Sequence, residues 1–228
     1  MVHGMGADAN ESHGVYRAGA DVQLAHLLGQ AVGTRLAAGR LVVGGDAQPG
    51  SGALREAFES GALRTGCTVY DVGTVRTPAL HFAKDRFWAD GAAMITAARH
   101  PQGNSRFALR LGKLPATELE LAELEQAVEQ HGPFAAGKGQ LLNNDIIEPY
   151  RSFLVAQCVP AQPLPVMVGA LCGSPVGVAQ ATLRELGYHV LECPSPLDSE
   201  PAPGPVAESL VQALCRGVPQ RGARLGML

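Results

Sequence analysis

Charge is scarce in this sequence. Only 17% of its 228 residues are Asp, Glu, Lys or Arg, and they leave a net charge of −3. No basic stripe is present, so the electrostatic footprint of a nucleic-acid-binding protein is missing. No apolar run reaches the roughly 18 residues from which a membrane-spanning helix is read. The five cysteines (Cys67, Cys158, Cys172, Cys193 and Cys215) are odd in number and never form C-x-x-C. They read as free thiols of a reducing compartment rather than a disulfide framework. The opening segment MVHGMGADANESHG has neither the basic nor the apolar region of a secretory signal. These absences give the expectation of a cytoplasmic protein with no membrane and no nucleic-acid partner. Hydrophobic residues, in contrast, make up 46% of the chain, enough at this length for a sizeable core. The 28 glycines and 16 prolines predict many turns and short connections.

Residues 1–14 lack periodicity and read as a loosely held arm. From Asp21 to Ala38 the residues Val22, Ala25, Leu28, Ala31, Val32 and Leu36 share one helical face, and Gly39 is the expected stop. Leu41–Gly44 reads as a buried strand, with a loop over 45–50. Ser51 is the expected N-cap of a helix carrying Leu54, Phe58 and Ala62, stopped by Gly66. A strand over 67–72 follows, then a helix opened by Thr77-Pro78, a strand over 92–95 and another over 106–111. Thr117 and Glu120 have capping-box spacing before a helix that carries Leu121, Leu124 and Val128. Residues 133–143 read as loop and 145–157 as helix. The proline-rich run 159–165 is the best linker, dividing the chain into domains 10–158 and 159–228. The second would hold a strand over 166–168, a glycine-rich turn, a helix over 176–186, a strand over 188–192, a proline-rich loop over 194–205 and a helix over 206–216. Strands alternating with helices place the chain in the α/β class.

The stretch GAAMITAARHPQGNSRF, residues 91–107, holds the site candidates. A short apolar strand runs into a polar loop, the usual place for a site in an α/β protein. The loop offers groups for binding an anion, Arg99, His100 and the nearby Arg106, but no evident nucleophile. Thr96 and Ser105 are the neighbouring hydroxyls and read as loop hydrogen-bonding groups. His13, His81 and His100 have no ligand spacing, so no metal site is expected. His26 and His189 read as structural. Gly169, Gly173 and Gly177 do not have dinucleotide-loop spacing. Asp46 and Asp71 read as turn and cap groups rather than an acid pair.

Several of these stretches, in order, resemble the α-D-phosphohexomutases, the phosphomannomutase/phosphoglucomutase family. Val43-Gly44-Gly45-Asp46 is similar to V-G-x-D, and Gly66–Gly73 with Thr77-Pro78 is similar to G-x-x-V-x-D-x-G-x-x-x-T-P. Met94–Pro101 lies where the family carries M-I-T-A-S-H-N-P, and Phe107 matches the Phe of Y-N-G-F-K. The stretch Glu185–Tyr188 and the later Pro201–Gly204 look like the start of the family's second domain. The resemblance implies a three-layer α/β/α first domain followed by an incomplete second α/β domain, since family members have four. It also implies a phosphoserine enzyme that moves a phosphoryl group on a sugar phosphate with Mg²⁺.

The match departs from that pattern where the chemistry lies. Ala98 occupies the phosphoserine position, and a methyl group cannot carry a phosphoryl group. Arg99-His100 stands for His-Asn, Ala108 for the lysine of F-K, and Gly45-Asp46-Ala47-Gln48 for R-D-x-R. The family's Y-D-I-R-G falls at Asn10–Gly14, without the arginine, and its Mg²⁺ loop would follow a strand near Leu225–Leu228. The expectation is a catalytically inactive family member. It would need no cofactor and would act as a binding or regulatory module for a sugar phosphate or other anion. The alternatives are a mutase completed by a partner chain and a truncated gene remnant. Self-association or a mutase-like partner is expected in either working form.

Overall fold

The computed structural model describes residues 15–18, 21–97, 105–159, 164–169, 177–193 and 206–227. The expected arm at 1–14, most of the glycine-rich turn before residue 177 and the proline-rich loop at 194–205 lie outside the described residues. Contacts divide the chain into two compact units, Met1–Ile146 and Ile147–Leu228.

The first unit is built on a six-stranded sheet. Its strands are β1 (Val15–Ala18), β2 (Arg40–Gly45), β3 (Thr68–Thr74), β4 (Gly91–Thr96), β5 (Ser105–Leu111) and β6 (Gln140–Asn143), in the spatial order β1-β5-β4-β2-β3-β6. The β2–β3, β2–β4 and β3–β6 pairs are parallel, and β5 runs antiparallel to both β4 and β1. Alternation along each strand sends odd and even residues to opposite faces. Leu41, Val43, Val69, Ala93, Ile95, Phe107 and Leu109 form the main core with α1 (Val22–Arg35), α2 (Ser51–Arg64) and α4 (Glu118–Glu129). The other face carries α3 (Thr77–Arg86), whose Leu80 lies against Gly44. Helices on both faces of the sheet make the three-layer α/β/α domain that the resemblance implies.

The predicted helices form for the stated local reasons, with shifts at their ends. Asp21 caps α1 by accepting a hydrogen bond from the Gln23 amide at 2.8 Å. That helix stops before Gly39, because Ala37 and Ala38 both take left-handed backbone angles, φ 49° and 63°. The capping box is present: Thr117 Oγ1 accepts from the Glu120 amide at 3.3 Å, and Glu120 Oε2 accepts from the Thr117 amide at 2.8 Å. Ser51 is a correction, since the N-cap of α2 is Gly50 and the Ser51 hydroxyl is turned inward to a strand carbonyl. Two strands are additions to the expected set. β1 follows directly on the expected arm, and β6 forms within residues 133–143, which read as loop.

Glycines set the distance between α1 and α2. A Cβ on Gly29 would stand 2.0 Å from the Phe58 carbonyl oxygen, and one on Gly61 would stand 2.0 Å from that of His26. The two backbones therefore touch, and Phe58 is driven into the sheet to meet Phe107 at a ring-centroid distance of 6.0 Å.

The second unit has a three-stranded parallel sheet of β7 (Pro165–Val168), β8 (His189–Glu192) and β9 (Leu225–Met227), in the order β8-β7-β9. Around it are α5 (Ile147–Gln157), α6 (Val178–Glu185) and α7 (Val206–Gln220). Its small core joins Met167, Cys193, Leu214 and Ala223. The division at Ile146/Ile147 differs from the linker read at 159–165, because α5 groups with α6, where Arg151 pairs with both Glu148 and Glu185.

Replacing Gly29 with Ala should destabilise the chain by more than the about 1–3 kcal/mol typical of overpacking, since the clash is with backbone. Denaturant melts measure this, and an unchanged midpoint would contradict the close helix approach.

Candidate functional site

The strands β2, β3 and β4 end on one edge of the sheet, and close packing fixes that edge. A Cβ on Gly44 would stand 2.7 Å from Val75 Cγ2, and one on Gly45 would stand 2.8 Å from Ser51 Oγ. With glycine at both positions, the chain after β2 can turn tightly against the end of β4. The Ile95 carbonyl accepts two hydrogen bonds there, from the Asp46 amide at 3.0 Å and from the Ser51 hydroxyl at 3.0 Å. The Val75 amide donates to the Gly45 carbonyl at 2.9 Å, tying the exit of β3 to the same edge. Asp46 closes its own turn by accepting from the Gln48 amide at 3.2 Å, which is the turn role read for it. Ala97, the last described residue before the candidate loop, is buried.

Ala98, Arg99 and His100 lie outside the described residues. Arg106 is placed on β5, opposite Thr96 of β4 in the antiparallel register. The period-2 alternation puts Arg106, Ala108 and Arg110 on the face that carries α3, while Ser105, Phe107 and Leu109 are buried toward the main core. On that α3 face a cavity of about 330 Å³ is lined by Thr96, Arg106, Ala108 and Arg110 from the sheet and by Thr77 and His81 from α3. The structure therefore brings Arg106 and His81 into one cavity, a pairing the sequence did not suggest. His81 has its pKa lowered, first by burial and then by the nearby Arg110 guanidinium. Ser105 is fully buried, which fits a structural hydroxyl.

A second cluster, also unpredicted, lies between α2 and β3. Asp71 Oδ1 accepts from the Gly73 amide at 2.7 Å and stands 3.3 Å from Arg55 Nε. Glu59 Oε1 is 3.6 Å from the same nitrogen, too far for a hydrogen bond, and neither atom has a hydrogen-bond partner. Burial raises the Glu59 carboxyl to about 8; Asp71 pushes the same way, and Arg55 opposes both. The i, i+4 spacing of Arg55 and Glu59 was the available signal in the sequence. An open cavity of about 470 Å³ beside Glu59 is lined by charges of both signs, including Glu56, Arg64 and Lys138, and so favours neither cations nor anions.

Among the described residues no group of three or more His, Cys, Asp or Glu side chains is arranged to hold a metal ion. Cys67, Cys158, Cys193 and Cys215 are free thiols. No described helix is long and apolar enough to cross a membrane.

The unit, with α1, α2 and α4 on one face of its sheet and α3 on the other, is a three-layer α/β/α domain. Residues 9–132 match the sequence profile of phosphoglucomutase/phosphomannomutase, alpha/beta/alpha domain I, and the chain belongs to that family. It is 37% identical over 114 residues to the phosphoglucomutase/phosphomannomutase of Thermococcus kodakarensis, a match covering 48% of this chain and 25% of that protein. It is 28% identical over 172 residues to the phosphoglucomutase of Neisseria gonorrhoeae, covering 74% of this chain and 37% of that one. A crystal structure of a phosphoglucomutase/phosphomannomutase family protein from Burkholderia thailandensis superposes with a TM-score of 0.71 at 22% identity, covering 79% of this chain and 42% of that one. The chain thus spans between a quarter and two fifths of the length of these two curated relatives.

The Glu59 environment makes a pH prediction. The folded chain holds that proton up to about 8, whereas the unfolded chain releases it near 4.5. The associated stability is complete below 4.5 and is lost as pH rises through 8. Thermal melts across that window should show the wild-type midpoint falling more steeply than that of Glu59→Gln. Parallel profiles would contradict the buried, protonated carboxyl.

Proposed function

We propose that this chain is a phosphohexomutase-family module that engages a sugar phosphate, or another ligand bearing a phosphate group, without becoming phosphorylated itself. The observation that carries this reading is Ala98, at the position where the family pattern has its serine. Phosphoryl transfer through an enzyme-bound intermediate needs an atom that can form and break the P–O bond, and a methyl group has none. The neighbouring hydroxyls do not replace it. Ser105 is buried, and the Ser51 hydroxyl is committed to the Ile95 carbonyl. Thr96 lines the cavity, but no metal ligand set among the described residues accompanies it.

The groups that remain are suited to recognition. Arg106 lies in the cavity beside the strand end, and Arg99 and His100 follow Ala97 in sequence. Guanidinium and imidazolium groups bind phosphate oxygens through charge-assisted hydrogen bonds. The names of the relatives, phosphoglucomutases and phosphomannomutases, support a hexose phosphate as the ligand class. A regulatory or binding role in a reducing, cytoplasmic setting belongs to the same reading.

A second reading is favoured by the share of each relative that the chain spans, 25% and 37%. In it, further domains complete a mutase, supplied either by a partner chain or by additional sequence. Position 98 still carries no hydroxyl, so the nucleophile would have to come from those domains.

Purified chain mixed with a hexose 1-phosphate and catalytic hexose 1,6-bisphosphate should give no hexose 6-phosphate above the no-protein control. Steady turnover by the chain alone would overturn the first reading. Turnover appearing only after a longer mutase-like chain is added would select the second.

A further inference from the structure

The cavity on the α3 face of the sheet has an unusual charge balance. Among the described residues that line it, the ionisable side chains are Arg106, Arg110 and His81, and none is an Asp or Glu. Arg110 Nε is buried and has no hydrogen-bond partner. A buried guanidinium N–H left unpaired carries a real free-energy penalty, and an anion would remove it. Arg110 also stands close enough to His81 to disfavour the imidazolium, and no acid is among the described lining residues.

The strand geometry explains why the two arginines share one face. Arg106 and Arg110 flank Ala108 on one face of β5, each two residues away, and so about 13 Å apart along the strand. Ala108 occupies the position where the family pattern has a lysine, and its small side chain leaves open space between the two arginines. Thr77 of α3 and Thr96 of β4 also line the cavity. The cavity also lies beneath the amino-terminal turn of α3, where the helix dipole favours negative charge.

We propose that Arg110, Arg106 and His81 form a phosphate-group site between β5 and α3, with Arg110 as its anchor and the hydroxyls of Thr77 and Thr96 completing it. The site takes a phosphate dianion or a phosphate monoester. This rests on the reading that the chain engages phosphate-bearing ligands, and it moves the centre of recognition from the loop at 98–100 to the sheet face. His81 couples binding to pH. Burial is the first cause of its lowered pKa; Arg110 from β5 and Lys84 from its own helix push the same way, Asp85 opposes them, and Arg106 lines the same cavity. A bound dianion shifts that balance toward the imidazolium.

The test is calorimetric titration of the full chain with inorganic phosphate and, separately, with a hexose 1-phosphate. Arg110→Met should weaken the binding of both at least about tenfold, and Arg110→Lys by less, since an ammonium keeps the charge but not the fork. Arg110→Met should melt no lower than wild type, because it removes an unsatisfied buried group, so lost binding is not lost folding. The His81 ring resonances should titrate at higher pH when phosphate is present. Tighter binding of the sugar phosphate identifies the monoester as ligand, and equal affinities identify the phosphate group alone. Wild-type and Arg110→Met affinities within about twofold of each other, or a His81 titration unmoved by phosphate, would overturn the site. If the double variant Arg99→Ala/His100→Ala loses binding while Arg110→Met keeps it, this inference falls and the loop-centred reading stands.

Discussion

One carbonyl holds the strand-end edge of this domain together. The Ile95 oxygen takes a hydrogen bond from the Asp46 amide and another from the Ser51 hydroxyl. It thereby joins the end of the central strand β4 to the loop after β2 and to the first turn of α2. Both bonds depend on the missing side chains of Gly44 and Gly45, where any Cβ would collide with Val75 or Ser51. The constraint is one of space before it is one of energy. It fixes where the chain leaves the sheet at Ala97 and thus where position 98 begins.

That fixed edge separates scaffold from chemistry. The scaffold is the α/β/α domain of the phosphoglucomutase/phosphomannomutase family, held by a dense core on the α1–α2–α4 face. In the proposed reading the chemistry differs from that of a phosphoserine site, because the Ala98 side chain has no oxygen and the Ala108 side chain has no charge. In our reading, basic groups have moved by one step of the strand to either side of Ala108, where they can hold a phosphate group without exchanging it. A binding site of this type does not need the metal ligation or activated hydroxyl that transfer demands.

Much of the fold was legible in the sequence, for identifiable reasons. The periodic helices carry their signals locally: Leu54, Phe58 and Ala62 mark the buried face of α2, and Thr117 with Glu120 marks the start of α4. Strand β6 was not legible, because Leu142 alone of its four residues is even partly buried, so no apolar alternation exists to be read. The four residues of β1 are too short a run to declare themselves. Ser51 was misread as a cap because a serine before a helix has the same sequence signature whether its hydroxyl turns to the helix or to a neighbouring strand. Of the site, Arg106 was visible as a basic residue near a loop. Arg110 and His81 were not, since their meeting depends on the antiparallel return of β5 and on α3 lying across it. The Arg55–Glu59–Asp71 cluster likewise needs β3 beside α2, and only its helical half is written in the spacing.

The central claim is that phosphate is held on the sheet face while position 98 stays bare. A crystal structure of the chain grown with a hexose 1-phosphate tests it most directly. The account predicts a phosphate group contacting the Arg110 and Arg106 guanidinium groups beneath α3, with no covalent modification at residues 96–105. A phosphoryl ester on Thr96 or Ser105, or a ligand seated away from β5 with the Arg110 cavity left empty, would contradict it.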